Sequence, residues 1–457
     1  MSKDSRPAVL GLIGNTPLIE ATRLDTGKCR LFLKLESQNP GGSIKDRIGL
    51  WMVEAAEREG KLKPGATIVE ATAGNTGLGL ALIARAKGYG LALVVPDKMA
   101  AEKVLQLKAL GAVVHVVRSD VGKGHPDYYQ DFAARIASEI PGSFFVDQFN
   151  NPANPAAHEQ STGPEIFGQM DHAVDAVVCG VGSGGTLTGL SRFFQRASPK
   201  TEFVLADPKG SILADYIRTG RIGVAGSWLV EGIGEDFIPP IADLSGVKKA
   251  YEIPDAESFA AARELLRAEG IHGGSSTGTL LAAALRYCRE QTTPKRVVTL
   301  VCDTGTRYLS KVYNDNWMVE QGLLPRKNFG DLRDLVARRF DEGGVISVTP
   351  SDPLQTAFVR MRYAEVSQLP VIDGGRIVGL LDESDILARV RANPANFSKA
   401  AAEAMTTDLE ILPPDADIDV LQNVLDRGYV AIIAEGDVFF GLITRFDLLN
   451  HLRRKAA

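Results

Sequence analysis

The chain has 457 residues, 45% of them hydrophobic and 23% charged, with a formal net charge of −5. That length allows roughly two to four domains with cores of their own. The small negative charge gives no attraction for nucleic acid or an anionic membrane surface, and no run approaches the roughly 18 unbroken apolar residues of a membrane helix.

The opening "MSKDSRPAVL" carries no charged-then-apolar signal pattern, so a cytoplasmic protein is expected. Between residue 30 and about residue 310, short β-branched runs alternate with helix-length segments, the signature of a parallel sheet covered on both faces. "ATIVEA", "GLGLALIARAKG", "GLALVVP", "AEKVLQLKALG" and "AVVHVV" follow one another, and "DAVVCG", "TEFVLAD" and "RVVTLVCD" continue the rhythm. An α/β region wound as two lobes is predicted. Cys29, Cys179, Cys288 and Cys302 lack CxxC spacing and read as reduced thiols. The histidines are dispersed, starting only at His115, so no metal site is expected.

Four segments within this region carry chemistry. In "NPGGSIKDRIGL", Lys45 sits at the first turn of a helix whose apolar face is Ile44, Ile48, Trp51, Met52, Ala55 and Ala56. The positive end of the helix dipole disfavours an ammonium there and favours the neutral amine that attacks an aldehyde. The plainer reading is a solvated lysine beside Asp46. In "ATAGNTGLGLA", a strand ending at Ala71 leads through a Gly/Asn turn to a helix opening near Gly77. Its free amides and the hydroxyls of Thr72 and Thr76 suit a carboxylate, while Asn75 offers an amide to a ring hydroxyl. A capped helix after a turn accounts for it equally well. In "VVCGVGSGGTLTG", Gly182, Ser183, Gly184, Gly185 and Thr186 follow an apolar strand and open a helix, the layout of a phosphate cradle. Gly180, Gly182 and Gly185 also fit a dinucleotide fingerprint, with Asp207 downstream. In "EGIHGGSSTGTLLAAAL", Ser275 stands at a helix start, either as a partner for a neutral pyridine nitrogen or as an ordinary cap.

Beyond Pro325 the composition changes and an internal repeat begins. "GGRIVGLLDESDIL" resembles "EGDVFFGLITRFDLL"; Gly379 maps to Gly441 and Asp385 to Asp447, an offset of 62 residues in both cases. Each copy reads as a helix, two short strands with a Gly turn and a second helix, and the two are expected to share one core. The expected domains are 1–325, a linker over 326–340, and a pair over 341–395 and 402–457.

The four segments, in this order, resemble the fold-type II pyridoxal-phosphate enzymes that make cysteine and cystathionine, over nearly all of residues 8–320 from "IGNTPL" onward. Within that group the chain is similar to the cystathionine β-synthase family. "EGIGEDFIP" carries Glu231 where cysteine synthases have glutamine, "DNWM" surrounds Trp317, and the C-terminal repeat looks like a tandem CBS-domain pair. The resemblance implies pyridoxal 5'-phosphate held as a Schiff base on Lys45, with "GSGGT" around its phosphate, Asn75 beside its ring and Ser275 at its ring nitrogen. It makes Thr72, Ala73, Gly74 and Thr76 the substrate loop, joined by Gln148, Phe149, Glu231, Gly232, Gly234 and Glu235. The dinucleotide reading leaves Lys45 and Ser275 unexplained.

Three departures stand out. Ala73 replaces the usual loop serine, and Phe149 and Glu235 replace tyrosines of animal enzymes. The haem segment of those enzymes has no counterpart, so no haem is expected. The implied reaction is β-replacement of the L-serine hydroxyl by L-homocysteine to give cystathionine, with hydrogen sulfide released when cysteine is the donor. A cysteine synthase using O-acetylserine and sulfide is the alternative enzyme; a cofactor-less nucleotide sensor is the non-enzymatic one, disfavoured by the intact Lys45, Asn75, "GSGGT" and Ser275. The repeat implies an adenosyl ligand, S-adenosylmethionine or AMP, on Thr444 and Asp447, because Asp382 in the first copy repels a phosphate. A dimerising module that binds nothing is its plainer reading. A homodimer or homotetramer is expected.

Overall fold

The computed structural model describes residues 7–456, apart from Ala73, Lys98, Ala100 and Lys123. It falls into two compact units, Met1–Asp315 and Asn316–Ala457. The first is α/β and contains two sheets. One runs in the order Leu18–Ala21, Arg30–Lys34, Arg296–Leu300, Ala176–Cys179, Glu202–Pro208, Val247–Ile253, and the other Val113–Val117, Gly90–Pro96, Thr67–Ala71, Phe144–Phe145. Every pairing is parallel except Leu18–Ala21 against Arg30–Lys34. That exception has a simple cause. The two strands are joined by eight residues, too few for the crossover that a parallel partner requires, so the chain returns antiparallel. Central runs such as "AVVC" over Ala176–Cys179 are buried along their whole length, because helices cover both faces, whereas the edge strand Val113–Val117 is largely exposed or half-buried.

The helix Lys45–Arg58 packs by its buried Ile48, Met52 and Ala56, as its periodicity requires, and against the helix Asn75–Lys87 without intervening side chains. A Cβ on Gly79 would stand 2.9 Å from the Lys45 carbonyl oxygen, and one on Gly49 would stand 2.8 Å from Ile83. The Asn75–Lys87 helix opens two residues before the predicted Gly77, since the Gly74 turn is complete by then.

A buried ion network fixes the same helix from its other side. Arg47, 1% exposed, donates through Nε and Nη2 to Glu36 (2.7 and 2.8 Å) and through Nη1 and Nη2 to Glu165 (2.7 and 2.6 Å). Lys34 Nζ adds a third cation at 2.8 Å from Glu165. Burial alone would raise the Glu165 carboxyl, but the hydrogen bonds from Arg47 and Lys34 outweigh it and hold the group at about 2.

In the second unit each repeat has the expected helix–strand–strand–helix order. The first copy runs Leu354–Ala364, Gln368–Asp373, Arg376–Asp382, Glu383–Ala392, and the second Ile418–Asp426, Ala431–Glu435, Val438–Ile443, Arg445–Ala456. The hairpins share a register shift, after Val371 in one and after Ile433 in the other, at the sequence offset of the repeat. Each shift faces its repeat's glycine. Gly379 abuts Met405, and Gly441 leaves no room for a Cβ, which would lie 2.5 Å from Val336.

The single shared core is not what forms. Among the described residues each copy has its own apolar cluster, around Leu369, Val371 and Leu381 in the first and Leu421, Ile433 and Ile443 in the second. A smaller cluster of Ile372, Ile432, Ala434 and Phe439 joins them. Within the stretch read as a linker, Leu332, Leu335 and Val336 are buried in the second copy's cluster.

Replacing Arg47 with methionine strands two carboxylates in the interior and should cost the catalytic unit about 3–5 kcal/mol. Urea denaturation followed by circular dichroism measures this, and a loss below about 1 kcal/mol would contradict the account. In the unaltered protein Glu165 titrates lower when folded than the usual unfolded value of about 4.3, so its contribution is complete above about pH 5 and disappears as the pH falls towards 2.

Candidate active site

Lys45 is the first residue of its helix, and Ile44 before it is pinned by an amide hydrogen bond to the Cys302 carbonyl (2.8 Å). The lysine is partly accessible and lines a pocket together with Asn75, Gly182, Ser183, Gly184 and Thr186. Among the described residues no carboxylate pairs with its Nζ. Desolvation lowers its pKa below that of an ordinary lysine, and the more distant Cys302, Asp303 and Glu235 only partly restore it. The solvated lysine partnered by Asp46 is therefore not what forms: the Asp46 carboxylate turns back to accept from the Gly41 amide at 2.5 Å. Desolvation also raises the neighbouring Cys302 thiol to about 12, which leaves the amine as the better nucleophile.

Opposite Lys45, the loop from Gly182 leads into the helix Gly185–Ala197. Gly184 has φ +90°, and a Cβ there would stand 2.5 Å from that of Ala242. On Gly182 it would meet the Gly232 carbonyl at 2.5 Å, and on Gly185 it would overlap Asn154. These glycines are required for steric reasons, and they leave bare amides at a helix start. Among the described residues the amides of Gly182, Ser183 and Gly184 donate to no protein acceptor. Such a set fits a phosphate.

Ser275, 1% exposed, opens the helix Ser275–Arg289. Its Oγ accepts from the Glu231 amide at 3.0 Å. The preceding Gly274 is wedged against Asp303 and Tyr308, which fixes where the serine stands. Its own hydrogen suits an unprotonated ring nitrogen. A cradle of glycine amides, a desolvated amine and a hydroxyl donor together match the phosphate, aldehyde and ring nitrogen of pyridoxal phosphate.

The substrate-loop residues are placed unevenly. Ala73 lies outside the described residues. Thr76 donates to Gln148 Oε1 at 2.7 Å, and Thr72 Oγ1 accepts from the Gly74 amide at 3.2 Å. Phe149 packs on Phe237 with ring centroids 5.7 Å apart. Gly234, φ +87°, is held to the Val181 carbonyl at 2.8 Å, which keeps the Gly232–Glu235 stretch beside the cradle strand. The Glu235 carboxyl is pushed well above the usual range, by desolvation first and then by Asp236.

Two of the expected residues are already engaged by groups that sequence reasoning did not single out. Asn75 donates to Asp303 Oδ2 (2.7 Å) and accepts from Arg307 Nη1 (2.6 Å). Asp303 also accepts from Tyr308 (2.6 Å). Glu231 is clasped by Lys103 on one oxygen and by Lys311 on the other at 2.7 Å. Lys103 is 1% exposed and lies over the Tyr308 ring, 4.5 Å from its centroid. The available signal was "CDTGTRY", a strand-end segment like the other loop-bearing ones.

In the second unit, Thr444 and Asp447 form a reciprocal helix cap. Asp447 Oδ2 accepts from the Thr444 amide (2.7 Å) and hydroxyl (2.6 Å), and the Thr444 hydroxyl accepts from the Asp447 amide (3.4 Å). Asp382 and Asp385 cap the corresponding helix of the first copy through two 2.9 Å bonds. Asp447 also lines a cleft of 290 Å³ with Val336, Arg339 and Asn450. Among the described residues no helix is long and apolar enough to cross a membrane, and no group of three or more His, Cys, Asp or Glu stands together as a metal site.

Comparison with known proteins agrees with this geometry. Residues 9–303 match the family described as pyridoxal-phosphate dependent enzyme, and residues 334–392 and 401–454 each match the CBS domain. Cystathionine beta-synthase of Saccharomyces cerevisiae is 36% identical, with 98% of both chains covered. The enzyme of that name from rabbit, Oryctolagus cuniculus, is 33% identical over 97% of this chain and 84% of its own. A crystal structure of a hydrogen sulfide-producing enzyme from Fusobacterium nucleatum, 34% identical, superimposes with a TM-score of 0.62 over 68% of this chain and all of that one. An unpaired amine facing a glycine cradle, a serine at the end of a second helix and a tandem CBS pair thus converge on one conclusion: the chain belongs to the cystathionine beta-synthase family of pyridoxal-phosphate dependent enzymes.

Proposed function

We propose that this enzyme condenses L-serine with L-homocysteine to L-cystathionine by β-replacement, and that it releases hydrogen sulfide when cysteine takes the place of serine. The observation that carries the reading is the Lys45 amine, desolvated and without a carboxylate partner, across the pocket from the Gly182–Thr186 loop. When bound, pyridoxal phosphate supplies an electron sink for negative charge at the substrate α-carbon. Lys45 Nζ would hold the cofactor covalently, and as a free amine would take the substrate α-proton and return it. The amides of Gly182, Ser183 and Gly184 hold the phosphate. Ser275 Oγ would donate to an unprotonated ring nitrogen, which would moderate the sink and favour loss of the β-substituent. Thr72, Thr76 and Gln148 receive the α-carboxylate, which requires the Thr76–Gln148 hydrogen bond to open onto it. The relatives' name and the neighbour's title support the acceptor and the sulfide branch. Glu231 and the amino acids around it support homocysteine over sulfide. We read the enzyme as haem-free and cytoplasmic, the compartment supported by four free cysteines among the described residues.

In the second unit we read Asp447 and Thr444 as the ribose-binding pair of one adenosyl site, supported by the cleft that Asp447 lines. The first copy places a second acid, Asp382, where that pair has a hydroxyl.

Three outcomes follow. Borohydride reduction of the holoenzyme, then peptide mass mapping, should place a pyridoxyl group on the Lys45 peptide, and Lys45→Ala should lower kcat at least about 1,000-fold, while the purified protein should carry no Soret band with stoichiometric iron. Near-normal turnover by that variant would end the mechanism. Steady-state assays should give a higher kcat/KM for serine with homocysteine than for O-acetylserine with sulfide, and the reverse order by about 100-fold or more would make the protein a cysteine synthase. Calorimetry should detect one S-adenosylmethionine or AMP per chain, weakened about tenfold or more by Asp447→Ala and much less by Asp385→Ala, because only the former removes charge-assisted bonds to the ribose. Absence of heat with either ligand at millimolar concentration would leave the pair as an assembly module.

A further inference from the structure

Two side chains that catalysis does not use stand directly beneath the hydroxyls of the cradle. Asn154 lies on the short helix Ala153–Ala157, and His158 opens the π-helical turn His158–Thr162 that continues it. Both are 1% exposed. Asn154 Nδ2 donates to Ser183 Oγ and to the Gln148 carbonyl, each at 2.9 Å. His158 Nε2 is 3.2 Å from Thr186 Oγ1, and its Nδ1 is 3.0 Å from Thr162 Oγ1. The spacing of four residues puts the two side chains on one face, aimed at the two hydroxyls three residues apart in the loop.

Backbone packing holds them there. A Cβ on Gly189 would stand 2.8 Å from the Cβ of His158, and one on Gly185 would overlap the Asn154 side chain. The π-turn adds one residue to the local helical repeat, a feature frequent at functional sites. Here it separates His158 from Thr162 so that the hydroxyl reaches Nδ1 rather than the helix backbone.

Hydrogen accounting decides what this arrangement does. A serine or threonine hydroxyl has one hydrogen and spare lone pairs. Asn154 spends an N–H on Ser183, so the Ser183 hydrogen is left for the cradle. For Thr186 the imidazole tautomer decides. If Nε2 were the acceptor, Thr186 would point its hydrogen down and its lone pairs at an incoming anion. If Nε2 carries the hydrogen, Thr186 accepts from below and donates above, and the Thr162 hydroxyl completes the chain by donating to Nδ1. Desolvation first, and then the Arg47 guanidinium, keep the ring neutral, so only one nitrogen carries hydrogen.

We propose that Asn154 and His158 are positioning residues that commit the Ser183 and Thr186 hydroxyls to donate into the cradle, His158 acting as its Nε2–H tautomer. The proposal rests on reading Gly182–Thr186 as the phosphate loop. It extends the recognition of the phosphate from the loop to a helix that never touches it.

The test uses the full chain stripped of cofactor and titrated with pyridoxal phosphate or with pyridoxal, which lacks the phosphate, by tryptophan fluorescence. His158→Phe keeps the ring shape without the donor and should weaken pyridoxal phosphate about tenfold while changing pyridoxal by less than about twofold. His158→Gln retains a donor near the Nε2 position and should stay within about threefold of the unaltered protein. In a Thr186→Val background, His158→Phe should add less than about twofold, since its partner is gone. Equal losses for Gln and Phe, a loss shared by pyridoxal, or an undiminished effect in the Thr186→Val background would each overturn the proposal. If Thr186→Val and Ser183→Ala leave the affinity for pyridoxal phosphate unchanged, the phosphate-loop reading falls, and this inference falls with it.

Discussion

An amine held out of bulk water without an anion to pair with is the constraint on which the catalytic unit is organised. A charged lysine in such a place loses hydration worth several kcal/mol, and no carboxylate stands close enough to Lys45 to return it. Desolvation shifts the balance towards the neutral amine, which is also the nucleophilic form. Everything around Lys45 preserves that balance. The helix start disfavours positive charge, Asp46 is turned away to Gly41, and the nearest acids act only from a distance. Two residues later the same helix holds Arg47 between Glu36 and Glu165, where burial is compensated by four charge-assisted hydrogen bonds to the two carboxylates, and Lys34 adds a fifth to Glu165. One cation is stripped of partners and the next is saturated. The contrast places the reactive group on a rigid base while leaving its own charge undetermined until a cofactor arrives.

On the proposed reading the opposite wall meets a different electrostatic problem, since the phosphate would bring negative charge into a confined space. Amides at a helix start, with glycines that admit no Cβ, solve it through the backbone, and the hydroxyls of Ser183 and Thr186 add directionality. On the same reading the third wall, at Ser275, would need a neutral donor only, and the fold offers one from a helix buried along most of its length. Amine, amides and hydroxyl thus come from three helix N-termini. One α/β unit gathers them by turning three helix starts towards a common pocket, the cradle helix directly from the strand Ala176–Cys179.

Much of this was legible in the sequence because each of those termini is a glycine-flanked turn opening a helix, and at the cradle it follows an apolar strand directly, a pattern that is local. The tandem repeat was legible for the same reason, and its register shifts recur at the offset that Gly379 and Gly441 define. Pairings that depend on distant, individually ordinary polar residues were not. Asn75 meets Asp303 and Arg307, more than two hundred residues away, and Glu231 meets Lys103 and Lys311. In sequence each looks like a surface charge. The antiparallel edge strand depends on loop length, which periodicity does not encode, and the π-turn at His158 leaves no trace in hydrophobic pattern. The separate cores of the two repeats escaped for a related reason: a shared period fixes the elements but not which faces meet.

The glycines that bring the cradle helix onto the segment beneath it also limit how this half of the protein can drift. Gly185, Gly189 and Gly163 meet Asn154, the 155–159 backbone and Phe193 with no space for a methyl group. An alanine at any of them forces two helices apart, so a lineage cannot adjust its grip on the cofactor there by small steps. Variation is channelled instead to four side chains, Asn154, His158, Ser183 and Thr186, where exchanges of like size and hydrogen-bonding sense leave the backbone alone. Cofactor retention in this family is thereby tunable at a few hydroxyl and amide positions over a frame that is closed to gradual change.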